Sequence, residues 1–291
     1  MPEFPVIDAH LHVWDHDRLR YSAFRGHPLF GRSYHVEDYR RDCGAVEVEA
    51  MVFLECYADF DEGGGQYIEE VEFVMDEAAR DPRIRAIVPM APLERGAAVA
   101  PMLEEMVRRF PLVRGVRRIV EFDADPRALA LSDAFVEGVR TLAAHDLHFE
   151  INVNHTQMAI VREFVPRVPD VPLILDHCGK PGIEEGALAR YREDVRALAE
   201  HPNLWIKLSD LPVEADHAAW TEDDLRPYID ATFEAFGFER VIFANDWPVC
   251  LQATTIPRWV ETLDRALAGV PEADRRRFYR DNANRFYRLG L

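Results

Sequence analysis

Three short stretches of the chain hold residues whose types and spacing suit chemistry. In Ile7-Asp8-Ala9-His10-Leu11-His12 the residues Asp8, His10 and His12 stand at every second position, so an extended strand would project all three from one face. Two imidazoles at i and i+2 can grip one metal ion or one substrate oxygen. His177 closes the run Leu173-Ile174-Leu175-Asp176-His177, on the side of the two leucines, and Asp246 closes Val241-Ile242-Phe243-Ala244-Asn245-Asp246. Each has a bland reading when taken alone: a hydrogen-bonded histidine at a strand end, or an aspartate that turns the chain before Trp247-Pro248. Taken together they suit a reaction in which a carboxylate takes a proton from water while imidazoles, or an ion they hold, polarise a carbonyl.

A second tier of candidates would bind substrate. Arg117, inward in the run Val113–Ile119, would place a fixed guanidinium in a pocket, against the plainer alternative of an ion pair with Glu55 or Glu150. Glu55, read as inward with Met51 and Phe53, could hold a metal, accept a substrate hydrogen bond or pair with that arginine. Lys207 could orient a substrate oxygen or pair with a carboxylate, and Ser209 on the same face carries no sign of activation. Arg18, Arg20, Tyr21, Phe24, Arg25 and His27 mix cations with aromatics, a composition suited to a small anion or a sugar as well as to a packed loop; Tyr21 and Arg25 are the candidates taken for substrate contact. The four cysteines form no C-x-x-C pair and read as reduced packing thiols.

These residues need a scaffold that brings strand ends together. Short apolar runs recur at 6–12, 50–56, 84–91, 113–119, 148–153, 172–177, 204–209 and 241–246, with amphipathic helical patterns between most of them. Strands alternating with helices imply a parallel sheet, and eight such units predict a single-domain α/β fold, a (β/α)8 TIM barrel over residues 1–291. No G-x-G-x-x-G follows a strand, so the sequence carries no dinucleotide-binding signature. The long first connection, residues 13–48, would lie over the mouth of the barrel. The formal charge of −18 opposes binding to nucleic acid or anionic membrane. No apolar run is long enough to span a bilayer and no leader-like segment is visible, which reads as a cytoplasmic protein. Self-association leaves no mark in the sequence and stays open.

Asp8-Ala9-His10-Leu11-His12-Val13-Trp14, Gly115-Val116-Arg117, Asp176-His177-Cys178-Gly179-Lys180-Pro181, Lys207-Leu208-Ser209, Asn245-Asp246-Trp247-Pro248-Val249 and Asn282-Ala283-Asn284-Arg285-Phe286-Tyr287 together resemble the lactonase branch of the amidohydrolase superfamily, which includes sugar-acid lactonases and pyrone dicarboxylate lactonase. The matches run in order along nearly the whole chain. The resemblance implies a TIM-barrel hydrolase that opens a small lactone, an ester-bond reaction, with Asp246 as general base and His10, His12 and His177 polarising the carbonyl. It also implies a mononuclear site at most: strand four offers Arg117 and Arg118, and strand five Glu150, Asn152 and Asn154 with His155 just beyond, where two-metal relatives carry a bridging lysine or glutamate and a histidine. One divalent ion, Zn or Mn, on His10, His12, Asp246 and His177 is compatible with it, and so is catalysis without metal.

The sequence departs from that branch in three places. Tyr21-Ser22-Ala23-Phe24 stands where relatives commonly carry Tyr-Pro-Trp, Asp210 where they carry Gly, and Asn245 where they carry Ser. The first alters the lid, and the second adds a carboxylate near the mouth. Two rival readings remain at this level. One is an aromatic-acid decarboxylase on the same barrel, which would release carbon dioxide; the other is a non-catalytic ligand-binding barrel, which would not need the whole constellation.

Overall fold

The computed structural model describes residues 1–59 and 65–291. Its strands are β1 (Val6–Leu11), β2 (Val48–Leu54), β3 (Ile84–Val88), β4 (Gly115–Arg117), β5 (His148–Ile151), β6 (Leu173–Leu175), β7 (Leu204–Leu208) and β8 (Val241–Phe243). Ladder hydrogen bonds join β1-β2-β3 in one parallel group and β4 through β8 in another. Parallel bridges complete the circle, Ile87 with Val113 between β3 and β4 and Leu11 with Trp247 between β8 and β1. The backbone amide of His12 donates to the carbonyl of Trp247 at 2.9 Å, so the β8 seam lies directly beside the first histidine pair.

The interior follows from side-chain alternation. Ile7, Ala9, Ala50, Val52, Ile174 and Ala244, from strands on opposite sides of the ring, meet in one buried cluster, and Ala283, Phe286 and Tyr287 of the helix Asn282–Tyr287 join it from below. The alternate residues, among them Met51, Phe53, Leu173 and Leu175, belong to the larger core between strands and helices. Two expectations of facing are thereby corrected. Met51 and Phe53 point out toward the helices rather than inward with Glu55, and Leu173 and Leu175 do not share a face with His177.

The helical expectations hold to within a few residues. The patterns read from the sequence appear as helices such as Gly65–Arg80, Asp133–Thr141, Leu188–Ala199 and Glu222–Phe236. Ser132 starts the second of these by accepting a hydrogen bond from the Phe135 amide at 3.1 Å. The first connection is not wholly irregular, for it contains the helix Val36–Asp42, whose Tyr39 and Val36 are buried.

Inside β4 a small residue is a geometric need. A Cβ on Gly115 would lie 2.3 Å from the His148 imidazole, which is held against Phe286 and Tyr287 and bonded to Glu150. The ring has no room to yield. Gly115→Ala should therefore destabilise the fold by roughly 1–3 kcal/mol through overpacking, read as a lower urea midpoint with an unchanged slope; a midpoint equal to that of the parent would show that the ring can move aside.

Candidate active site

At the carboxyl ends of the strands, four of the sequence candidates converge. The Nε2 atoms of His10 and His12 lie 3.1 Å apart, and Asp246 Oδ1 sits 3.3 Å from the first and 3.2 Å from the second. His177 Nε2 approaches Asp246 Oδ2 at 3.8 Å. All four side chains are buried, and His12, His177 and Asp246 line a cavity of about 200 Å³.

How each arrives there differs from simple alternation. The register of β1 against β2 slips between Asp8 and Leu11, and this irregularity separates Asp8 from the histidines. Asp8 leaves the shared face: its carboxylate accepts from Tyr39 Oη at 2.7 Å, Asn245 Nδ2 at 2.8 Å and the Asn245 and His10 amides, a buried clamp between β1, the segment after β8 and the first helix. His177 reaches the mouth because its φ of 51° turns the chain as β6 ends. Asp246 has φ 57° and likewise stands on a left-handed turn.

Hydrogen bonds fix the imidazoles. His12 Nδ1 faces the carbonyl of Leu54 at 3.0 Å; a carbonyl accepts only, so Nδ1 carries a proton, and the ring is held with Nε2 toward Asp246 and His10. His177 Nδ1 pairs with Ser209 Oγ at 3.0 Å. His10 has a cation beside each ring nitrogen, Lys207 Nζ 3.3 Å from Nδ1 and Arg117 Nη1 3.2 Å from Nε2. Burial, reinforced by Lys207, drops the His10 pKa well below the ordinary histidine value, and burial brings that of His177 down to about 3. Both rings are neutral near pH 7. For Asp246 burial acts against the charge, but the groups around it, the Arg117 guanidinium among them, hold the carboxyl below the usual carboxylate range.

Beneath the mouth lies a buried charge network that the sequence showed only in part. Arg117 donates from Nε to Glu55 Oε1 at 2.8 Å, from Nη2 to the Glu55 carbonyl at 2.7 Å and from Nη1 to Asp176 Oδ2 at 3.2 Å. Lys207 Nζ binds Glu150 Oε2 and lies 3.0 Å from Asp176 Oδ1. Tyr287 donates to Glu150 at 2.9 Å. Burial disfavours both carboxylates, but Lys207 keeps Glu150 below the usual range, while burial and that neighbouring charge push Asp176 up to about 7. Arg117 edges the cavity, whereas Lys207 and Glu55, expected at the substrate, do not line it and instead hold other groups. Asp176 was visible in the sequence only as a motif neighbour; its spacing from inward Ile174 is the signal that places it inside.

The rest of the cavity comes from loops. Trp14, Phe24 and Phe30 of the first connection, with Tyr57 and Phe122, supply aromatic surface, and Asn152, Lys180 and Asp210 supply polar groups. Tyr21 is buried behind this wall with its ring stacked 5.9 Å from Phe24, and Arg25 is exposed; neither of these two expected substrate contacts lines the cavity.

The donor set suits a cation. His12 Nε2, His10 Nε2 and Asp246 Oδ1 face one another across 3.1–3.3 Å, close to the roughly 3.3 Å edge of a tetrahedron with bonds of about 2.0–2.1 Å. Asp246 Oδ1 is buried with no hydrogen-bond donor among the described residues, an acceptor that an ion would satisfy. His10, His177 and Asp246 also offer ligand atoms within 4.8 Å of one another.

The family model described as Amidohydrolase matches residues 7–289. The L-fucono-1,5-lactonase of Burkholderia multivorans is 32% identical over 97% of this chain and 96% of its own length. The L-rhamnono-gamma-lactonase of Scheffersomyces stipitis is 25% identical over 99% of this chain and 100% of its own. A crystal structure of a Burkholderia multivorans amidohydrolase with bound zinc superposes with a TM-score of 0.86 at 30% identity, covering 98% of this chain and 100% of that one.

The network makes a thermodynamic prediction. Lys207→Met leaves Glu150 and Asp176 without their shared cation and should cost roughly 3–5 kcal/mol of stability. Adding Glu150→Gln should recover part of that loss, so a double-mutant cycle in urea gives a coupling of about 1 kcal/mol or more; strict additivity would mean that the two side chains do not sense each other.

Proposed function

Because the chain belongs to the amidohydrolase family, we propose that it opens a small lactone at the cluster of Asp246, His10, His12 and His177. It is a hydrolase acting on a carboxylic ester bond, and the lactonase relatives carry that reading. The observation that carries the assignment of roles is the convergence of one buried carboxylate with three buried imidazoles on a cavity of small-molecule size.

Asp246 is the only one of the four able to take a proton as an anion, so it is the general base toward a water in the cavity. His12 and His177 hold the carboxylate in place and shape the surface on which the lactone carbonyl rests. Arg117, saturated by Glu55 and Asp176, contributes a fixed positive field and orders His10 rather than clasping substrate. Asp176, Glu150 and Lys207 keep that field in place.

His10, His12, Asp246 and His177 would hold a single divalent ion, Zn or Mn, which when bound supplies Lewis-acid polarisation of the carbonyl. The guanidinium 3.2 Å from His10 Nε2 supports one ion rather than two, because a further cation would meet fixed positive charge. Four free, buried cysteines among the described residues fit a reducing compartment, the cytoplasm. No helix among those residues is long and apolar enough to cross a membrane.

Lactone opening releases a proton near neutral pH, so a pH-indicator assay over aldonolactones and simple lactones tests the reaction, and carbon dioxide release would instead indicate decarboxylation. Asp246→Asn should lower kcat by roughly 10²–10⁴-fold with an unchanged circular dichroism spectrum; near-native turnover by the folded variant would remove Asp246 from its role. Elemental analysis should find about one Zn or Mn per chain, and a protein that takes up no divalent metal on titration would contradict the ion site.

A further inference from the structure

A second cavity, of about 310 Å³, adjoins the catalytic one on the same face of the barrel. Its walls come from the segments that follow β2, β3 and β4: Glu55 and Tyr57 from the first, Met90 from the second, Ile119 and Phe122 from the third. The four residues of the reaction centre are not among its lining, yet Tyr57 and Phe122 line both cavities and so form the partition between them.

Tyr57 stands there under constraint. Its φ of 56° is a left-handed conformation that a bulky side chain rarely adopts, and such a conformation persists only where the surroundings over-determine it. The Tyr57 amide donates to Glu55 Oε2 at 3.1 Å, while Glu55 Oε1 accepts from Arg117 at 2.8 Å. The ring itself is 6.1 Å from that of Phe24 and 6.0 Å from that of Phe122. The buried ion pair under the mouth thereby also fixes the tyrosine between the two cavities.

Phe122 is 68% exposed, the most of any large hydrophobic side chain among the described residues. A lone exposed aromatic is ordinary, but one with a cavity on each side offers apolar surface that a bound molecule can cover. The charged groups of the second cavity are already compensated. Glu55 is held by Arg117, and Arg118 pairs with Glu94 and with Asp123 at 3.3 Å each. What remains for a ligand is the aromatic and aliphatic surface of Tyr57, Met90, Ile119 and Phe122.

We propose that the second cavity is a substrate subsite for a neutral, apolar substituent, aryl or alkyl, carried by the lactone and seated against Tyr57 and Phe122 while the ring lies at Asp246. The assignment rests on the lactonase reading and adds to it a part of the substrate that the reaction centre does not touch. Covering the partition removes apolar area from water on both molecules, so the substituent contributes affinity without entering the chemistry.

The test compares the full-length parent with two variants. Phe122→Ala removes the exposed ring, and Ile119→Phe narrows the second cavity from a residue that is not part of the lining of the first. The probes are γ-butyrolactone, γ-phenyl-γ-butyrolactone and, as a polar arm, γ-(hydroxymethyl)-γ-butyrolactone. The readout is the ratio of kcat/KM for each substituted lactone over the unsubstituted one, corrected for their rates of hydrolysis by hydroxide. In the parent the phenyl ratio should be roughly tenfold or more, chiefly through KM, with little gain from the hydroxymethyl arm. Each variant should cut the phenyl ratio by about threefold or more, and thermal melting checks that both are folded. A parent phenyl ratio near one, a larger gain from the hydroxymethyl arm than from the phenyl, or a phenyl preference that a folded variant keeps in full overturns the assignment alone. A parent protein that opens no lactone overturns the lactonase reading and this assignment with it.

Discussion

Two cations buried under the mouth of the barrel, Arg117 and Lys207, meet on the single carboxylate of Asp176, with Glu55 and Glu150 completing the compensation. Removing unpaired charge from water costs several kcal/mol, so each member of this group is tolerable only because the others are present. That mutual requirement fixes the inward ends of β4, β5, β6 and β7 relative to one another. It also sets the field in which the histidines stand, since one of the two cations lies beside each nitrogen of His10.

The reaction centre depends on this arrangement in two ways. Burial, reinforced by Lys207, keeps His10 from becoming an imidazolium, and burial does the same for His177, so these two rings stand uncharged beside the Asp246 carboxylate. Arg117 also sets a fixed positive charge 3.2 Å from His10 Nε2, at the end of β4.

Much of this was legible in the sequence because barrel strands write their facing in alternate residues. The eight strands and the closing of the ring follow from that pattern, and residue type at the strand ends picked out His10, His12, His177 and Asp246. Alternation failed where the backbone departs from a regular strand. The register slip after Asp8 moves that residue out to Tyr39 and Asn245, and a left-handed φ at His177 brings to the mouth a side chain that strict alternation would turn outward. Glu55 reaches Arg117 from just beyond the end of β2, although Met51 and Phe53 face the other way. Local strain of this kind has no residue-type signature when the residue is not glycine. The lining aromatics were half legible: Phe24 was picked out with Tyr21 and Arg25, but only three-dimensional packing shows that Phe24 faces the cavity while Tyr21 backs it.

Neutral imidazoles around an ionised Asp246 are the centre of the account, and their ring nitrogens can be observed directly. The measurement is a long-range 15N–1H spectrum of histidine-labelled protein, stripped of metal by chelation and followed from pH 8 to pH 5, with His10 and His177 assigned by single replacement. The account predicts neutral-ring nitrogen shifts for both residues throughout, since both pKa values lie below the ordinary 6.5. Either ring passing to the imidazolium pattern near pH 6.5 would contradict it, because the cluster would then hold its charge on histidine rather than on the carboxylate alone.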